Sequence, residues 1–427
     1  MDTPPVLTQF QTLSDRVQNA LRRTSAWIER FGPRLAGTPG CRQTAAALHA
    51  ELEHACGAAR LETFSAHTSA FACFYQVDAV IYLVGLGLLL LNLPLPAALL
   101  LTAMVVAAGL QFGYYWELYD RLYPLAECTN VTAVLEPQGE VTQQVIFSGH
   151  HDAALELKFL KGSQKLYVLK IIVPDFFRIM AAVVGWAWLA GQALGGSQPG
   201  FVLPAKVLLV AGIYFVFTKF HLFTQNVTPG AGDNLIASAM LVELAGHFSD
   251  PNSPGRSILE HTRLLFASFD AEESGLRGSR AWVRAHNAEL RALPTAALNI
   301  DSIYNLQELQ FLVSDLNSHV HLDRALVQRC IETAHGLGYP AAPAVMRFGG
   351  GATDAAELAR AGVRATTMIA MSSKVVRDGL VYHTMQDTVD QIEPGAVLAC
   401  LAVAEQLARR LDQEKSEKKL SNQAGIR

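Results

Sequence analysis

The chain has 427 residues, of which 51% are hydrophobic and 17% charged, and its formal net charge is −4. This length is enough for one large domain or two smaller ones, each with a buried core. The negative balance gives no support for a nucleic-acid partner, because such partners require a basic surface. The apolar excess is high for a soluble enzyme, and it is concentrated in two stretches of the chain.

The first apolar stretch, Ala79–Trp116, contains no formally charged residue. One membrane-spanning helix needs about 20 apolar residues, so this stretch is long enough for two. The segment Asn92–Pro96 contains two prolines and predicts a turn between them. The sequence therefore predicts a transmembrane hairpin over 77–116, with helices near 77–92 and 96–115.

The second apolar stretch, 179–218, is interrupted by a single charge, that of Lys206. Glycines and a proline at 195–200 predict a turn, and hence a second transmembrane hairpin over 167–220. Lys206 lies close to this turn, where its long side chain is expected to reach the polar interface. The alternative for both stretches, a helical pair buried in a large soluble core, fits their length and composition less well.

Basic residues are concentrated at the base of the two hairpins, whereas the tips carry only Lys206. An excess of lysine and arginine predicts that the base faces the cytoplasm, and four spans place both termini on that side. We therefore expect an integral protein of the inner or plasma membrane, with the lipid bilayer as a partner and the remaining chain in the cytoplasm. The basic residues at the base are Arg121, Lys158, Lys161, Lys165, Lys170, Arg178 and Lys219.

Outside the hairpins, short β-rich runs alternate with helical patterns, which is typical of an α/β layered structure. The predicted fold class is α/β, with a mixed, mostly parallel sheet flanked by helices and four transmembrane helices inserted as two hairpins. The predicted strands are 131–135, 145–148, 264–269, 296–300, 309–313 and 365–369, and the predicted helices are 235–247, 279–286, 321–337 and 396–411. The segments 1–76, 117–166 and 221–411 would form the non-membrane part, followed by a polar, frayed tail at 412–427.

Histidine and acidic residues follow three of the predicted strands, and others lie at a helix start and in a loop. Each is common alone, as a helix N-cap, a solvated helix start or a surface histidine. Because the carboxyl ends of parallel strands meet at one edge of a sheet, we expect the set to converge. Two histidines with three carboxylates suit zinc, and a further carboxylate beside a ligand suits a general base acting on water. The set is His150, Asp152, Asp233, Glu272, Glu273, Asp301 and His383.

The stretches around these residues resemble the co-catalytic dizinc aminopeptidases, the group of bacterial leucyl aminopeptidase, aminopeptidase Y and glutamate carboxypeptidase. The resemblance covers most of 129–166 and 219–411, and the combination of motifs is far more specific than any single one. The stretches that carry it are Ser148–Asp152, Gly230–Asn234, Phe269–Ser279, Leu298–Asp301, Gly349–Asp354 and Tyr382–Asp390.

The resemblance implies a zinc aminopeptidase-like fold and two zinc ions per chain. Asp233 would bridge both ions. His150 and Asp301 would complete the first zinc site, and Glu273 and His383 would complete the second.

The resemblance also implies roles for residues that do not bind metal. Glu272 would be the general base, and Asp152 would hold His150 in place. Asp354 matches an acidic position of the family and is expected to have a supporting role. The residues expected to form an apolar wall for the substrate side chain are Met346, Phe348 and Tyr382.

The chain departs from the family pattern at two positions and in its hairpins. Ala153 stands where the family often has a small polar residue, and Ser302 stands where an apolar residue is common. The two hairpins are foreign to the soluble members, so the active site is expected to lie near the membrane surface. The predicted function is a zinc-dependent, membrane-bound aminopeptidase that hydrolyses N-terminal bonds of a peptide substrate with metal-activated water.

Three other functions compete with this interpretation. A single-zinc glutaminyl cyclase would share the fold, but its bridging-type aspartate is usually followed by serine, whereas Asn234 follows here. A carboxypeptidase would need cationic groups for the free carboxylate, for which Arg347 and Arg364 are available. A membrane scaffold with an inactive peptidase fold is disfavoured because the whole metal-site set is present. The sequence leaves the oligomeric state open.

Overall fold

In the computed structural model the described residues are 5–160, 167–195, 198–251, 253, 259–372 and 380–423. Their side chains are described as well, except at 5–12, 167–169 and 418–423. Five predicted segments therefore lie partly outside the described residues: the start of 1–76, the end of 117–166 with Lys161 and Lys165, the turn at 195–200, the stretches 252, 254–258 and 373–379 within 221–411, and the last residues of the tail.

Strands and helices alternate through most of the chain. The strands are β1 (Ala59–Ala66), β2 (Ala126–Leu135), β3 (Gln143–His150), β4 (Leu155–Leu157), β5 (Phe223–Val227), β6 (Thr262–Phe269), β7 (Thr295–Ile303), β8 (Leu309–Asp315), β9 (Val320–His321), β10 (Ala342–Val345) and β11 (Arg364–Ala370). The helices are α1 (Pro5–Phe31), α2 (Pro39–Cys56), α3 (Ala70–Leu90), α4 (Pro94–Tyr114), α5 (Tyr167–Gly195), α6 (Val202–Phe217), α7 (Ile236–Ser249), α8 (Arg277–Ala292), α9 (Arg324–Gly336), α10 (Ala355–Arg360) and α11 (Pro394–Gln423).

In the described part of the chain, nine strands form one sheet in the order β1-β2-β6-β3-β7-β11-β8-β10, with β9 paired to β8. The central strands β6, β3, β7 and β11 are parallel. β2 pairs antiparallel with β6 and β8 pairs antiparallel with β11, whereas β1 pairs antiparallel with β2. The mixed, mostly parallel sheet expected from the sequence is therefore confirmed. Each strand and helix predicted outside the hairpins overlaps an observed one.

The sheet is buried on both faces, which explains why its central strands are almost continuously apolar. On β3, Val145 and Phe147 pack into a cluster that includes residues of α1, α2, α7, α9 and α11. Ile146, which points the opposite way, packs into a second cluster with residues of α8 and α10. The sheet is thus the middle layer of three, and its strand ends are held rigidly.

The C-terminal helix extends past residue 412, where a frayed tail was expected to begin. α11 continues to Gln423, so the stretch 412–423 is helical where a frayed tail was expected. The side chain of Asp412 explains the difference, because it is buried and accepts hydrogen bonds from the backbone N–H groups of Glu260 and His261 at 2.9 Å each. These bonds fix α11 against the segment that leads into β6.

Among the described residues, four helices are long and apolar enough to cross a membrane: Ala70–Leu90, Pro94–Tyr114, Lys170–Gly195 and Val202–His221. They pair as two hairpins and bury a shared apolar cluster between them. Their outer faces carry many exposed large apolar side chains, such as Leu203 and Tyr214. Exposed apolar surface of this extent is typical of contact with lipid or with another protein.

The first hairpin begins earlier than the sequence predicted. The apolar stretch was taken to start after Asp78, yet α3 begins at Ala70 and passes through this residue. Asp78 is fully buried, and its two carboxylate oxygens accept hydrogen bonds of 2.6 Å from Arg178 Nη2 and from the Tyr119 hydroxyl. A paired carboxylate is compatible with the helix interior, so the charge does not mark the helix end.

Lys206 also differs from its prediction, because it turns inward. It is buried, and its ammonium donates to Asn92 Oδ1 at 2.9 Å and lies 4.6 Å from the centre of the Trp188 ring. These contacts join the tips of the two hairpins. A hydrogen bond and a cation–π contact satisfy the charge locally, so it does not need to extend to an interface.

Candidate metal centre

The metal-site residues lie at one edge of the sheet because neighbouring parallel strands end together. His150, the last residue of β3, is level with Phe269, the last residue of β6. The loop after β6 carries Glu272 and Glu273. Asp301 lies near the end of β7, which pairs with the other side of β3. The strand alignment alone therefore brings an imidazole and three carboxylates together.

Asp233 reaches the same edge of the sheet from the loop that precedes α7, and hydrogen bonds fix the conformation of this loop. The backbone N–H of Gly232 donates to Asp387 Oδ1 at 2.8 Å, and Asn234 Nδ2 donates to the Ile300 carbonyl at 2.8 Å. The Asp233–Asn234 peptide bond is cis. A side chain at Gly232 would lie 2.2 Å from the ring of Tyr304, so only glycine fits there.

Asp233 lies between two groups of candidate ligands. Its Oδ1 is 3.4 Å from His150 Nε2, which is also 4.0 Å from Asp301 Oδ1. Its Oδ2 is 3.1 Å from His383 Nε2, which is also 3.1 Å from Glu273 Oε2. The two groups of three therefore share one carboxylate, with one oxygen on each side.

Several atoms of these groups are buried without a hydrogen-bond partner in the described part of the chain: His150 Nε2, Asp233 Oδ2, Glu273 Oε1 and His383 Nε2. Buried polar atoms are rarely left in this state in native proteins, unless an ion or a water satisfies them. Imidazole nitrogens and carboxylate oxygens are ligands that zinc accepts in tetrahedral sites. The donor set therefore fits zinc, and Asp233 belongs to both groups of candidate ligands.

The electrostatics favour cations as well. Burial raises the pKa of Glu273 to about 7 and raises the pKa values of Glu272 and Asp301 well above their ordinary range. Burial lowers the pKa of His383, but the carboxylates around it outweigh burial and raise that pKa to about 10. For Asp233 burial raises the pKa, and the contacts with His150 and His383 overcome it and hold the pKa below its usual value. Raised pKa values mean that these groups favour bound positive charge, and a metal cation can supply that charge.

Glu272 and Asp152 complete the centre without belonging to the two shared groups. Glu272 Oε2 lies 3.8 Å from His150 Nε2, and the side chain is buried. Asp152 Oδ1 lies 3.2 Å from His150 Nδ1 and accepts from the backbone N–H of Glu272 at 3.2 Å. Its Oδ2 accepts from the backbone N–H of Glu273 at 3.2 Å. One carboxylate thus orients the imidazole and the acidic loop together.

Arg34, which was not predicted from the sequence, supports the centre from the N-terminal segment. Arg34 is fully buried, and its guanidinium donates to the carbonyl of His151 at 3.1 Å. It also donates to the carbonyls of Pro229 and Gly230 at 2.7 and 3.0 Å. Burial lowers its pKa to about 10. No local motif marks this arginine, since its partners lie far away in the chain.

A buried group behind His150 was missed too. Cys41, His151 and Asp270 each point one candidate ligand atom at the others. The Cys41 thiol donates to Asp270 Oδ1 at 3.2 Å, and His151 Nδ1 is 2.9 Å from Ser268 Oγ. Asp270 Oδ2 accepts from the Thr129 N–H at 2.9 Å. These bonds tie the ends of β2, β3 and β6 together and support the metal centre.

The residues expected to form a substrate wall are only partly brought to the centre. The Tyr382 ring stacks on His383 at 3.9 Å and 15°, directly beside the metal groups. Phe348 is 70% exposed and meets Phe112 of α4 edge-on at 5.8 Å. Met346 is half-buried against the cluster on the α8 side of the sheet. Asp354, at the start of α10, is fully buried, and burial raises its pKa to about 7.

Comparison with known proteins gives a family match for part of the chain and a shared fold. Residues 216–408 match the model of peptidase family M28. No curated protein matches the chain in sequence. Among solved structures, the glutaminyl cyclase of Fimbriiglobus ruber has a TM-score of 0.52 at 14% identity, covering 92% of this chain and 94% of that one.

Two aminopeptidases are similar to the same degree. The Legionella pneumophila aminopeptidase LapA has a TM-score of 0.51 at 13% identity, over 94% of this chain and 74% of that one. BSAP, a zinc aminopeptidase from Bacillus subtilis, has a TM-score of 0.52 at 12% identity, over 92% and 95%. The chain thus has a zinc aminopeptidase-like fold, and its second half carries the match to peptidase family M28.

Proposed function

We propose that this chain is a membrane-bound aminopeptidase that holds two zinc ions and hydrolyses the N-terminal bond of peptides. The observation that carries the proposal is the position of Asp233, whose two oxygens face two complete ligand groups. In the first group Asp233 acts with His150 and Asp301, and in the second with Glu273 and His383. Each zinc would then have three protein ligands and an open position, as catalytic zinc sites do.

Two zinc ions bound there would supply a Lewis acid that activates a water molecule and polarises the scissile carbonyl. Glu272 is placed to take the proton from the attacking water and to return it to the leaving amine. Positive charge in both groups would restore the ionised, proton-accepting form of Glu272, whose pKa burial raises. Asp152 keeps this geometry fixed, since it holds His150 and the backbone of the Glu272–Glu273 loop.

The acidic centre would also hold the free amino group of the substrate. Tyr382, which is stacked on His383, would line the pocket for the N-terminal side chain. Met346 and Phe348 remain proposals for the same wall. The four apolar helices would hold the enzyme in the inner or plasma membrane, with the metal centre and both termini in the cytoplasm.

A glutaminyl cyclase with one zinc is the second candidate, because solved cyclases share this fold. Two features favour the peptidase. Both ligand groups are complete, although a single zinc would need only one of them. Asn234, which follows the shared aspartate, donates to the Ile300 carbonyl, as part of the loop that presents Asp233 to both groups.

The test is purification in detergent, followed by assays with a panel of aminoacyl fluorogenic substrates and with a peptide that begins with glutamine. The peptidase predicts cleavage of at least one aminoacyl substrate, loss of that activity with a chelator and recovery with zinc. Elemental analysis is expected to approach two zinc ions per chain. Cyclisation of the glutaminyl peptide without aminoacyl cleavage, at one zinc per active chain, would replace the proposal with the cyclase.

A further inference from the structure

The candidate zinc ligand His383 has a backbone conformation that needs support. Its φ is 54°, in the left-handed region that residues other than glycine rarely adopt. Its Nε2 lies 3.1 Å from Asp233 Oδ2 and 3.1 Å from Glu273 Oε2. Its carbonyl oxygen accepts a hydrogen bond from the N–H of Leu157 at 3.0 Å. This bond restrains the backbone from which the imidazole projects towards the other two ligands.

Leu157 belongs to a two-stranded ribbon at the base of the second hairpin, formed by β4 and β5. β4 lies before α5 in the chain, β5 lies after α6, and the two strands are antiparallel. The N–H of Lys158 donates to the carbonyl of Leu222 at 3.0 Å, and the N–H of Thr228 donates to the carbonyl of Ala154 at 2.9 Å. The ribbon is thus closed at both ends, and a change in its geometry would reach the metal centre.

A bulge opposite Glu156 gives the ribbon its shape. Leu155 pairs with Val227, and Leu157 pairs with Phe223. One residue of β4, Glu156, therefore faces three residues of β5. Extra residues of this kind bend a strand and change the direction in which its groups point. The direction of the Leu157 N–H thus depends on how the bulge is held.

The side chain of Glu156 holds the bulge. The residue is 1% exposed, and its Oε2 accepts from Thr224 Oγ1 at 3.0 Å and from Asn226 Nδ2 at 3.1 Å. The hydroxyl of Thr224 in turn accepts from the backbone N–H of Asn226 at 3.1 Å. Because a carboxylate is buried at low cost only when it has hydrogen-bond partners, these bonds favour one geometry of the ribbon.

We propose that Glu156 is a positioning residue of the metal centre, which holds the ribbon so that Leu157 fixes His383 as a ligand of the second zinc. The inference rests on the proposed function, in which His383 binds that zinc together with Asp233 and Glu273. Glu156 acts through the backbone of β4. Outer contacts that orient a metal ligand contribute about 10- to 100-fold to metal affinity. The base of the second hairpin is then part of the metal centre as well as of the membrane region.

The test measures zinc affinity at both sites in the full-length protein in detergent, by competition with a chelating dye. Glu156→Ala removes the acceptor from the bulge, so we expect it to weaken one site about 10- to 100-fold and to leave the other within about threefold. Glu156→Gln keeps an acceptor oxygen for Thr224 and Asn226, so it should restore most of the lost affinity. The control is Glu405→Ala, which removes a buried carboxylate of α11 that accepts from Arg16. It should lower the thermal midpoint and leave both zinc affinities unchanged.

Two further variants assign the weakened site and test the bulge from its other strand. His383→Ala already removes the ligand that the ribbon holds, so adding Glu156→Ala should leave the affinity of the remaining zinc within about threefold. Thr224→Val combined with Asn226→Ala removes the same two side-chain bonds from β5. It should give the same selective loss as Glu156→Ala, and it tests the inference even if Glu156→Ala does not fold.

The outcomes separate this inference from the proposed function, because zinc affinity is measured without turnover. Wild-type affinity at both sites in the bulge variants would overturn the inference and would not affect the proposed function. Equal weakening of both sites, or a further loss in the His383→Ala background, would overturn it too, because the ribbon would then support the whole centre. A wild type that binds two zinc ions but cleaves no aminoacyl substrate would count against the proposed function alone. A wild type that binds only one zinc would overturn both.

Discussion

Glu272 and Glu273 are adjacent in sequence, and we propose different roles for them. Glu273 Oε2 lies 3.1 Å from His383 Nε2, within a ligand group that also contains Asp233. Glu272 Oε2 lies 3.8 Å from the imidazole of His150, and its backbone is held by Asp152. One residue is thus placed to bind a metal and the other to move a proton.

Glu272→Gln and Glu273→Gln form a matched pair that tests this division. We expect Glu272→Gln to lower kcat by about 10² or more with zinc content unchanged, because the base is lost and no ligand is. Glu273→Gln should lower both kcat and zinc content, since an amide is a poorer zinc ligand than a carboxylate. The measurements are turnover and elemental analysis of the same samples. More than a few percent of wild-type kcat in Glu272→Gln would contradict its role as the base.

Asp233 and His383 differ in how many metals depend on them. Asp233→Ala is expected to remove both zinc ions, because its two oxygens face both ligand groups. His383→Ala removes a ligand from one group only, so it should deplete one site and leave the other. Zinc titration of the apoproteins, followed by elemental analysis, measures this. Retention of two ions by Asp233→Ala would show that this carboxylate does not bridge them.

The convergence of the candidate ligands could be predicted from the sequence, because they stand at strand ends and in recognisable short motifs. His150, Glu273 and Asp301 come together by strand alignment alone, which a sequence pattern can encode. Arg34 could not be found in this way. It acts through partners distant in the chain, and nothing in the flanking residues shows that its side chain turns inward.

At the scale of elements, the misjudged boundaries fall where a charge is neutralised by a distant partner. The first hairpin was expected to begin at 77, whereas α3 begins at Ala70 and contains the buried Asp78. Arg178, from the second hairpin, is the residue that makes its burial possible. The strands β1 and β10 were missed for a different reason. They lie at the two edges of the sheet and are half exposed, so they lack the apolar runs of the central strands.

Arg178 joins the two hairpins, and its substitution tests how much this contact contributes to stability. Asp78 accepts hydrogen bonds from Arg178 and from Tyr119. Arg178→Gln would remove the first of these donors and leave the buried carboxylate with the second. Loss of one partner from a buried ion pair destabilises by about 3–5 kcal/mol. We expect a lower thermal midpoint in detergent, whereas Arg121→Gln, at an exposed arginine near the same base, should have little effect. Equal midpoints for the two variants would show that the pair does not hold the hairpins together.

Glu405 joins α11 to α1 and α7. It accepts from Arg16 Nη2 at 2.7 Å and lies 3.1 Å from His247 Nε2, and Arg409 donates to it as well. Burial raises its pKa, but the hydrogen bond and charge of His247 and the two arginines outweigh burial and lower the pKa to about 2.

The low pKa of Glu405 predicts a pH-dependent contribution to stability. A carboxylate whose pKa is depressed on folding stabilises the protein above its unfolded pKa, near 4.3, and that stabilisation is lost as the pH falls towards 2. We expect Glu405→Gln to lower the free energy of unfolding by about 3 kcal/mol at pH 7, with a smaller difference at pH 3. Denaturant unfolding at both pH values measures this. A difference that does not shrink on acidification would contradict the assignment.

At the scale of the whole molecule, both hairpins end next to the metal centre. The chain leaves α4 through Tyr115, whose carbonyl is held by Arg280 on the helix after the acidic loop. The strands β4 and β5, which flank the second hairpin, pair with each other. The N–H of Leu157 in β4 donates to the carbonyl of His383 at 3.0 Å. If the hairpins cross a bilayer, the metal centre lies at its surface, on the side of the hairpin base.

The orientation of that base is the remaining prediction, and it follows from the distribution of basic residues. Arg121, Arg178 and Lys219 lie at the base, whereas Lys206 is the one basic residue near the tips. The positive side of a membrane protein faces the cytoplasm, so the tips should face outward. In a variant without its native cysteines, Leu194→Cys at the 91% exposed end of α5 should react with an impermeant thiol reagent in intact cells. Glu289→Cys on α8, whose side chain is 71% exposed, should react only after lysis. Both variants test one orientation with opposite outcomes, and labelling of Glu289→Cys in intact cells would place the metal centre on the outer side of the membrane.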